Sequence, residues 1–238
     1  MSPFNLATQS LNSEPVSLAQ LTETYHAFQS RYLASRHYQK LRANIQSREN
    51  LQIDCAVAVG LSSLRKTKGG WKPVKVKDKV AERSMSQMAF FMAIVQLLRR
   101  SGHTISVYAQ NPGFDEIDQE LLGQLGITIL RSERAFSAQP ASRHLKTNTF
   151  IFIPWLPFPV LCQLWAGTTP ALYIGGSAID WALENLEKEV QVTRFKDNIV
   201  DWRNWTQRLL ASMTNVKGFG KSKVDTIDDL KVYFRSDE

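Results

Sequence analysis

The sequence predicts an α/β fold: a three-layer Rossmann-like sandwich on a mainly parallel sheet of about five strands, with an N-terminal helix and a helical C-terminal tail. Five short apolar segments rich in Val, Ile, Phe or Tyr alternate with helical segments. Such near-continuous apolar runs are typical of strands buried on both faces, as in parallel sheets. The alternation itself predicts right-handed βαβ crossovers and helices on both sides of the sheet.

The five predicted strands end at Gly, Pro or polar clusters, which are typical of turns. They cover Ile53–Gly60, Thr104–Ala109, Ile127–Leu130, Thr149–Pro154 and Ala171–Gly175. A sixth short strand is predicted over Leu230–Phe234. The chain divides into a flexible leader (1–15), an N-terminal helical segment (16–50), the α/β domain (51–190), and a C-terminal helix and tail packed on that domain (191–238).

The helices between the strands have recognisable starts. Ser84 and Gln87 form a capping-box pattern ahead of a run that is apolar almost all round, which predicts a buried central helix. Asp115 begins the next helix, with acidic residues in its first turn, and Gly126 ends it. Further helices are predicted from Pro157–Pro159 to about Ala166, from Ser177, and over about Ile199–Met213.

Composition and hydropathy exclude some classes of protein. The 238 residues are 43% hydrophobic and 21% charged, which excludes a fully disordered chain. No 18-residue uncharged apolar stretch is present, so we expect no membrane-spanning helix. Cys55 and Cys162 lie in apolar runs and no secretory signal is visible, so we expect a reducing compartment, the cytoplasm with the nucleus as a second location.

The candidate site is the set of residues that follow the strands, because ligands of open parallel sheets bind outside the carboxyl ends of the strands. Backbone N–H groups, hydroxyls, an amide and an indole would suit a small anion or a flat ligand. The alternative is that the Gly and Ser residues only form turns and caps and that Trp155 only packs in the core. The candidate ligand-binding residues are Gly60, Ser62, Ser63, Gln87, Asn111, Asp115, Pro154, Trp155, Gly175, Gly176 and Ser177.

The sequence predicts no catalytic residue and no metal site, and it identifies no cofactor. None of the four histidines follows a predicted strand or has metal-ligand spacing to a cysteine. The motifs G-x-S-x-G, G-x-G-x-x-G and G-x-x-x-x-G-K-[ST] are absent. The sequence therefore favours a binding protein over an enzyme, with a small ligand or a protein as its partner.

A basic segment follows the first strand. Together with the net charge of +7 of the whole chain, this segment suggests a phosphate-binding arm and makes nucleic acid a third-ranked partner. A solvated loop without a partner is the favoured alternative, since charge runs are usually solvated. The segment is predicted to be a loop containing Arg65, Lys66, Lys68, Lys72, Lys75, Lys77 and Lys79, with Asp78 as its acid.

Several segments in succession resemble the SRR1-like family, named for sensitivity to red light reduced. They are AVAVGLSS, SMSQMAFFMAIVQLL, SVYAQNPGFDEIDQELLGQLGITIL, TFIFIPWLPFPVLCQLW and ALYIGGSAIDW, between residues 50 and 185. Asn111, Trp155 and Gly176 stand where members of that family usually have an acid, a histidine and an asparagine. The resemblance implies a regulatory role in haem (tetrapyrrole) biosynthesis and circadian input, and the three departures imply a site without acid–base agents.

A second function also fits the sequence, namely a Rossmann-like transferase using S-adenosylmethionine or another nucleotide. The glycine turn at Gly60 and the cluster of strand ends suggest it. An acidic residue after the second strand would hold the ribose, and Asn111 is a poor substitute, with Asp115 a nearby candidate.

Overall fold

Helices and strands alternate between residues 55 and 153. A computed structural model describes residues 16–64, 74–131, 139–154, 156, 161, 164, 168–176, 211, 213–216 and 230–236. In this part the helices are α1 (Leu18–Leu33), α2 (Arg36–Gln46), α3 (Val74–Arg100), α4 (Glu116–Gln124) and α5 (Gln139–Ser142). The strands are β1 (Cys55–Val59), β2 (Ser106–Gln110), β3 (Thr128–Ile129), β4 (Thr149–Ile153), β5 (Leu172–Gly175), β6 (Met213–Val216) and β7 (Lys231–Arg235).

The strands form one sheet in the order β3-β2-β1-β4-β5-β7-β6. The pairs β1–β2, β1–β4, β2–β3 and β4–β5 are parallel, which confirms the predicted mainly parallel α/β sheet. Strand β7 runs antiparallel to both β5 and β6, so β6 has the same direction as the five parallel strands. Strand β6 was not predicted, whereas β7 confirms the strand predicted over Leu230–Phe234.

Both faces of the sheet are apolar. Ala56 and Ala58 of β1 belong to the cluster that contains the buried residues of α1 to α4, whereas Val57 and Val59 belong to the cluster on the other face. This alternation is the two-residue period of a strand. The complete three-layer arrangement stays a prediction, because the helices predicted after β4 and β5 lie largely outside the described residues.

Aromatic rings fix the central helix on the sheet. Phe91 of α3 lies 5.4 Å from Phe150 of β4, ring centroid to centroid. Phe90, on the same helix, contacts the ring of Tyr32 from α1 at 4.5 Å, edge to face. Helix α1 therefore packs on the outside of α3, which is buried between the sheet and α1.

The predicted start of the central helix is wrong. Helix α3 begins at Val74, so Ser84 and Gln87 lie within it, 3% and 4% exposed, and do not cap it. The pattern that suggested a cap is a pair of buried polar residues on a longer helix. Lys75, Lys77 and Lys79 consequently belong to the first turns of α3 and not to a loop, since the segment after Pro73 is free of helix breakers. The other basic residues, Arg65, Lys66, Lys68 and Lys72, lie outside the described residues.

The N-terminal helical segment consists of two helices. Ser35, in an extended conformation, separates them and caps α2 by accepting a hydrogen bond from the Tyr38 N–H at 3.1 Å. Near the other end of the chain, Met213 belongs to β6 and not to the helix predicted over about Ile199–Met213. The predicted leader over 1–15 and nearly all of that helix lie outside the described residues.

Across the described residues, no helix combines the length and the apolar character that crossing a bilayer would require.

Candidate functional site

Four neighbouring strands end level with one another. In the pairing register Val59 lies opposite Gln110, Ala58 opposite Phe152, and Ile153 opposite Gly175. The first residues after β2, β1, β4 and β5 therefore follow one another along a single edge of the sheet. We call this edge the carboxyl rim, and these four residues are Asn111, Gly60, Pro154 and Gly176.

Backbone contacts join the ends of neighbouring strands at the carboxyl rim. The N–H of Gly60 donates to the Gln110 carbonyl at 3.4 Å, and Gly60 has a φ of 82°, a conformation that favours glycine. The N–H of Gly176 donates to the Ile153 carbonyl at 3.1 Å. A Cβ atom at Gly176 would lie 2.5 Å from the carbonyl oxygen of Pro154. Glycine at this position therefore allows the segments after β4 and β5 to approach each other.

Asn111 contributes an amide side chain to the carboxyl rim. Its Oδ1 accepts a hydrogen bond from the Gly113 N–H at 3.1 Å, which holds the turn after β2. Its Nδ2 is buried, and within the described part of the chain it has no hydrogen-bond partner. Because a buried amide donor costs free energy when it is unpaired, this atom is the best-placed group of the rim for a ligand acceptor.

The segment after β1 is anchored by a carboxylate that the sequence analysis did not select. Asp118 is fully buried, and its oxygens accept the N–H of Leu64 at 3.1 Å and the N–H of Asp115 at 3.3 Å. The Ser63 hydroxyl also bonds to this carboxylate. Burial raises the pKa of Asp118, against the lowering effect of the Ser63 hydrogen bond. Between its anchored neighbours, Ser62 is exposed to solvent.

Asp115 begins α4 as predicted. Its Oδ1 accepts the N–H groups of Ile117 and Asp118, both at 3.0 Å, and Asp118 completes the capping box from the third position of the helix. The pattern D-x-x-D would have revealed this pair, but a sequence does not show that the second carboxylate also reaches across to Leu64. The Asp115 carboxylate thus caps α4, which makes it a weaker candidate for binding a ligand.

Gln110, the last residue of β2, links the rim to the other face of the sheet. It is 5% exposed, and its Oε1 accepts the N–H of Ala141 in α5 at 2.8 Å. This contact places α5 beside the end of β2. Helix α5 was not predicted, because four residues are too few to show a helical period.

The remaining predicted site residues fall into three groups. Gly175 is the last residue of β5, beside the Tyr173 ring. Gln87 lies buried within α3, away from any helix start. Trp155 and Ser177 lie outside the described residues, so their roles stay predictions.

Other reactive side chains lie elsewhere. Burial raises the pKa of the Cys55 thiol to about 11, which is typical of a core cysteine. His144 stacks on Tyr108 with ring centroids 4.0 Å apart, and burial lowers its pKa. The His144 side chain is half-buried. In the described part of the chain, His, Cys, Asp and Glu do not gather in a group of three that could hold a metal ion.

Comparison with protein families places these features in one family. The SRR1 domain matches residues 26–234, which is most of the chain. The chain belongs to the SRR1 domain family. The SRR1 domain thus begins within α1, ends within β7 and includes every residue of the carboxyl rim. It extends on both sides beyond the segments that carry the resemblance in sequence. A search of curated proteins finds no match.

Proposed function

We propose that this SRR1-domain protein is a regulatory protein that binds a small ligand or a protein partner at the carboxyl rim without transforming it. The composition of the rim carries this proposal. The residues directly after β2, β1, β4 and β5 are Asn, Gly, Pro and Gly, which offer backbone groups and one amide. Proton transfer in catalysis needs a carboxyl, imidazole or similar titratable group close to the reacting atoms. Of the described residues, Asp115 and Asp118 in the segment after β2 carry carboxylates, and these accept hydrogen bonds from backbone N–H groups.

The position of the rim supports binding. The chain builds the sheet outward from β1, first through β2 and β3, and then through β4 and β5 on the other side. The strand order reverses between β1 and β4, and crevices at such points are the usual ligand sites of open parallel sheets. Gly60 and Pro154 follow the two strands that flank this point.

The biological role we propose comes from the family. The resemblance to SRR1-like proteins suggests regulation of haem (tetrapyrrole) biosynthesis and circadian input, in the cytoplasm and the nucleus. A tetrapyrrole is flat and carries carboxylates, which backbone N–H groups and the Asn111 amide could bind. The described rim residues include no His or Cys, so the proposal assigns no iron ligand from among them.

Thermal unfolding in the presence of candidate ligands tests this function. We expect one of haemin, protoporphyrin IX, ATP or S-adenosylmethionine to raise the Tm of the full chain. Asn111→Ala should abolish that rise, whereas Asn44→Ala on α2, far from the rim in sequence, should keep it. A ligand at 100 times its dissociation constant stabilises by about 2.7 kcal/mol. The absence of any rise with all four compounds would contradict the small-ligand form of the proposal.

The strand order supports a second candidate, a transferase that uses S-adenosylmethionine. The sheet begins with five parallel strands in the order β3-β2-β1-β4-β5. Strand β7 lies antiparallel beside β5, and β6 forms the edge beyond it. The order 3-2-1-4-5 is that of the nucleotide-binding Rossmann fold, which is an analogy of fold and not of site. Calorimetry with S-adenosylmethionine tests this second candidate, because the absence of binding would eliminate it. Saturable binding that Asn111→Ala removes is expected of both candidates, and only transfer of the methyl group to an acceptor, measured with labelled S-adenosylmethionine, would favour the transferase.

A further inference from the structure

A shallow depression lies at the edge of the sheet opposite the carboxyl rim. Its lining comes from the segment between α2 and β1, from the residue before β5, and from the end of the antiparallel strand β7. We call it the amino-edge depression. Its lining residues are Arg48, Asn50, Leu51, Gln52, Ala171, Phe234 and Arg235.

Arg48 is held in the amino-edge depression by an aromatic ring. Its guanidinium carbon lies 4.0 Å from the ring centroid of Phe234, which is 1% exposed. A guanidinium over a ring face is attracted by the ring's quadrupole and keeps its N–H groups free for other partners. Within the described residues, the half-buried Arg48 side chain donates no hydrogen bond.

Arg235 is held by hydrogen bonds to the segments that precede β4 and β5. One of its terminal nitrogens donates to the Thr147 carbonyl at 2.7 Å, and its backbone N–H donates to the Ala171 carbonyl at 3.1 Å. A guanidinium carries five N–H donors, so this contact leaves most of them available. Two cationic side chains are therefore held in place at one depression, each by a contact that uses little of its hydrogen-bonding capacity.

We propose that the amino-edge depression binds a phosphate group, as the phosphate monoester of a small molecule. Guanidinium groups suit the oxygens of phosphate, and the charge-assisted bonds they form are stronger than neutral ones. The amides of Asn50 and Gln52, which line the same depression, add further donors. The net charge of +7 favours the approach of an anion. This site is separate from the carboxyl rim and does not depend on the proposed function.

A purely structural role for Arg48 predicts a different outcome. Arg48 lies just beyond the C-terminus of α2, where a positive charge stabilises the helix dipole. Lysine would fulfil that role, but its ammonium cannot form the paired bonds of a guanidinium. Arg48→Lys therefore separates the two explanations, since phosphate binding should weaken while the stability without phosphate is nearly unchanged.

Titration of the full chain with inorganic phosphate, at constant ionic strength against chloride, tests the site by thermal unfolding. We expect a saturable rise in Tm of about 3–6 °C at ten times the dissociation constant. Arg235→Gln and Arg48→Lys should reduce the saturable rise at least severalfold. Arg42→Gln, an exposed arginine of α2 with the same change in charge as Arg235→Gln, should keep it, as should Asn111→Ala at the rim.

Three results would overturn the proposal. Phosphate stabilises many proteins without binding to them, and that effect does not saturate and is the same in all variants. A linear rise shared by the native chain and every variant would therefore refute the site. A saturable rise that Arg235→Gln and Arg48→Lys leave intact would place phosphate elsewhere and refute it equally. Glycerol 3-phosphate should reproduce the inorganic phosphate result, and a failure to do so would refute the monoester assignment.

Discussion

The carboxylate of Asp118 accepts the backbone N–H of Leu64 at 3.1 Å, across 54 positions of sequence. This bond joins the segment after β1 to the first turn of α4, so the ends of β1 and β2 are fixed relative to each other. Leu61 and Leu64 are each 2% exposed, and their apolar contacts hold the same segment in the core. The shape of the carboxyl rim therefore depends on a residue that does not itself follow a strand.

Removal of the Asp118 side chain should destabilise the fold. Asp118→Ala leaves the buried N–H groups of Leu64 and Asp115 without their acceptor, at a cost of about 2–4 kcal/mol in the free energy of unfolding. Urea denaturation followed by circular dichroism measures this loss. Glu120→Ala, on an exposed position of α4, should change the same quantity by less than about 0.5 kcal/mol. Equal effects of the two substitutions would show that the Asp118 contacts add nothing.

The pH dependence of stability should reveal the ionisation of Asp118. Because burial raises its pKa in the folded state above the usual value of 3.8, the folded protein holds this proton more tightly than the unfolded chain. The contribution of Asp118 to stability should therefore fall as the pH rises from 3.8 through the raised pKa, and stay level above it. Asp118→Asn cannot titrate, so the stability difference between the native chain and this variant isolates the effect. If the free energy of unfolding of the native chain minus that of Asp118→Asn increased as the pH rises from 3.8, the raised pKa would be contradicted.

Gly176 should not tolerate a side chain. Gly176→Ala places Cβ 2.5 Å from the Pro154 carbonyl oxygen, which forces the segments after β4 and β5 apart. We expect a loss of about 1–3 kcal/mol in the free energy of unfolding. Gly123→Ala is the matched control, since a Cβ there meets nothing within 4 Å and alanine favours the helix. That variant should gain about 0.5–1 kcal/mol, and a shared sign for both substitutions would contradict the contact.

Removal of the hydroxyl group should change the stability of the fold in opposite directions at two buried tyrosines. The hydroxyl of Tyr32 is buried without a hydrogen-bond partner in the described structure, whereas that of Tyr25 accepts a bond from Gln29 Nε2 at 2.7 Å. Tyr32→Phe should therefore stabilise the chain by about 1 kcal/mol, and Tyr25→Phe should destabilise it by about 0.5–1.5 kcal/mol. Chemical denaturation of both variants measures the two values. Destabilisation by Tyr32→Phe would mean that its hydroxyl is satisfied.

The sheet was predictable because its signal is local and repeated. Each of the five predicted parallel strands overlaps an observed one, since a buried strand must be apolar along its whole length. The turns at Gly60 and Gly176 were also predictable, because they follow strands directly. Strand β6 was missed, since its sequence Met-Thr-Asn-Val lacks the apolar run that marked the others.

The wrong or missing predictions concern short sequence patterns that are compatible with more than one structure. Ser84 and Gln87 match a helix start, but the same spacing places two polar residues on one side of a longer helix. Asp118 was not among the predicted site residues, because its bond to Leu64 depends on tertiary packing that no local pattern shows. Arg48 and Arg235 lie 187 positions apart, and only the antiparallel pairing of β7 with β5 brings them to one depression.

Hydrogen–deuterium exchange of the full chain tests the carboxyl rim as a binding site most directly, with and without the compound of the panel that most raises the Tm. We predict slower exchange in peptides covering residues 60–64, 111–115 and 153–156, and unchanged exchange in residues 48–52 at the opposite edge. Protection confined to regions away from these strand ends would contradict the rim as the binding site of this SRR1-domain protein.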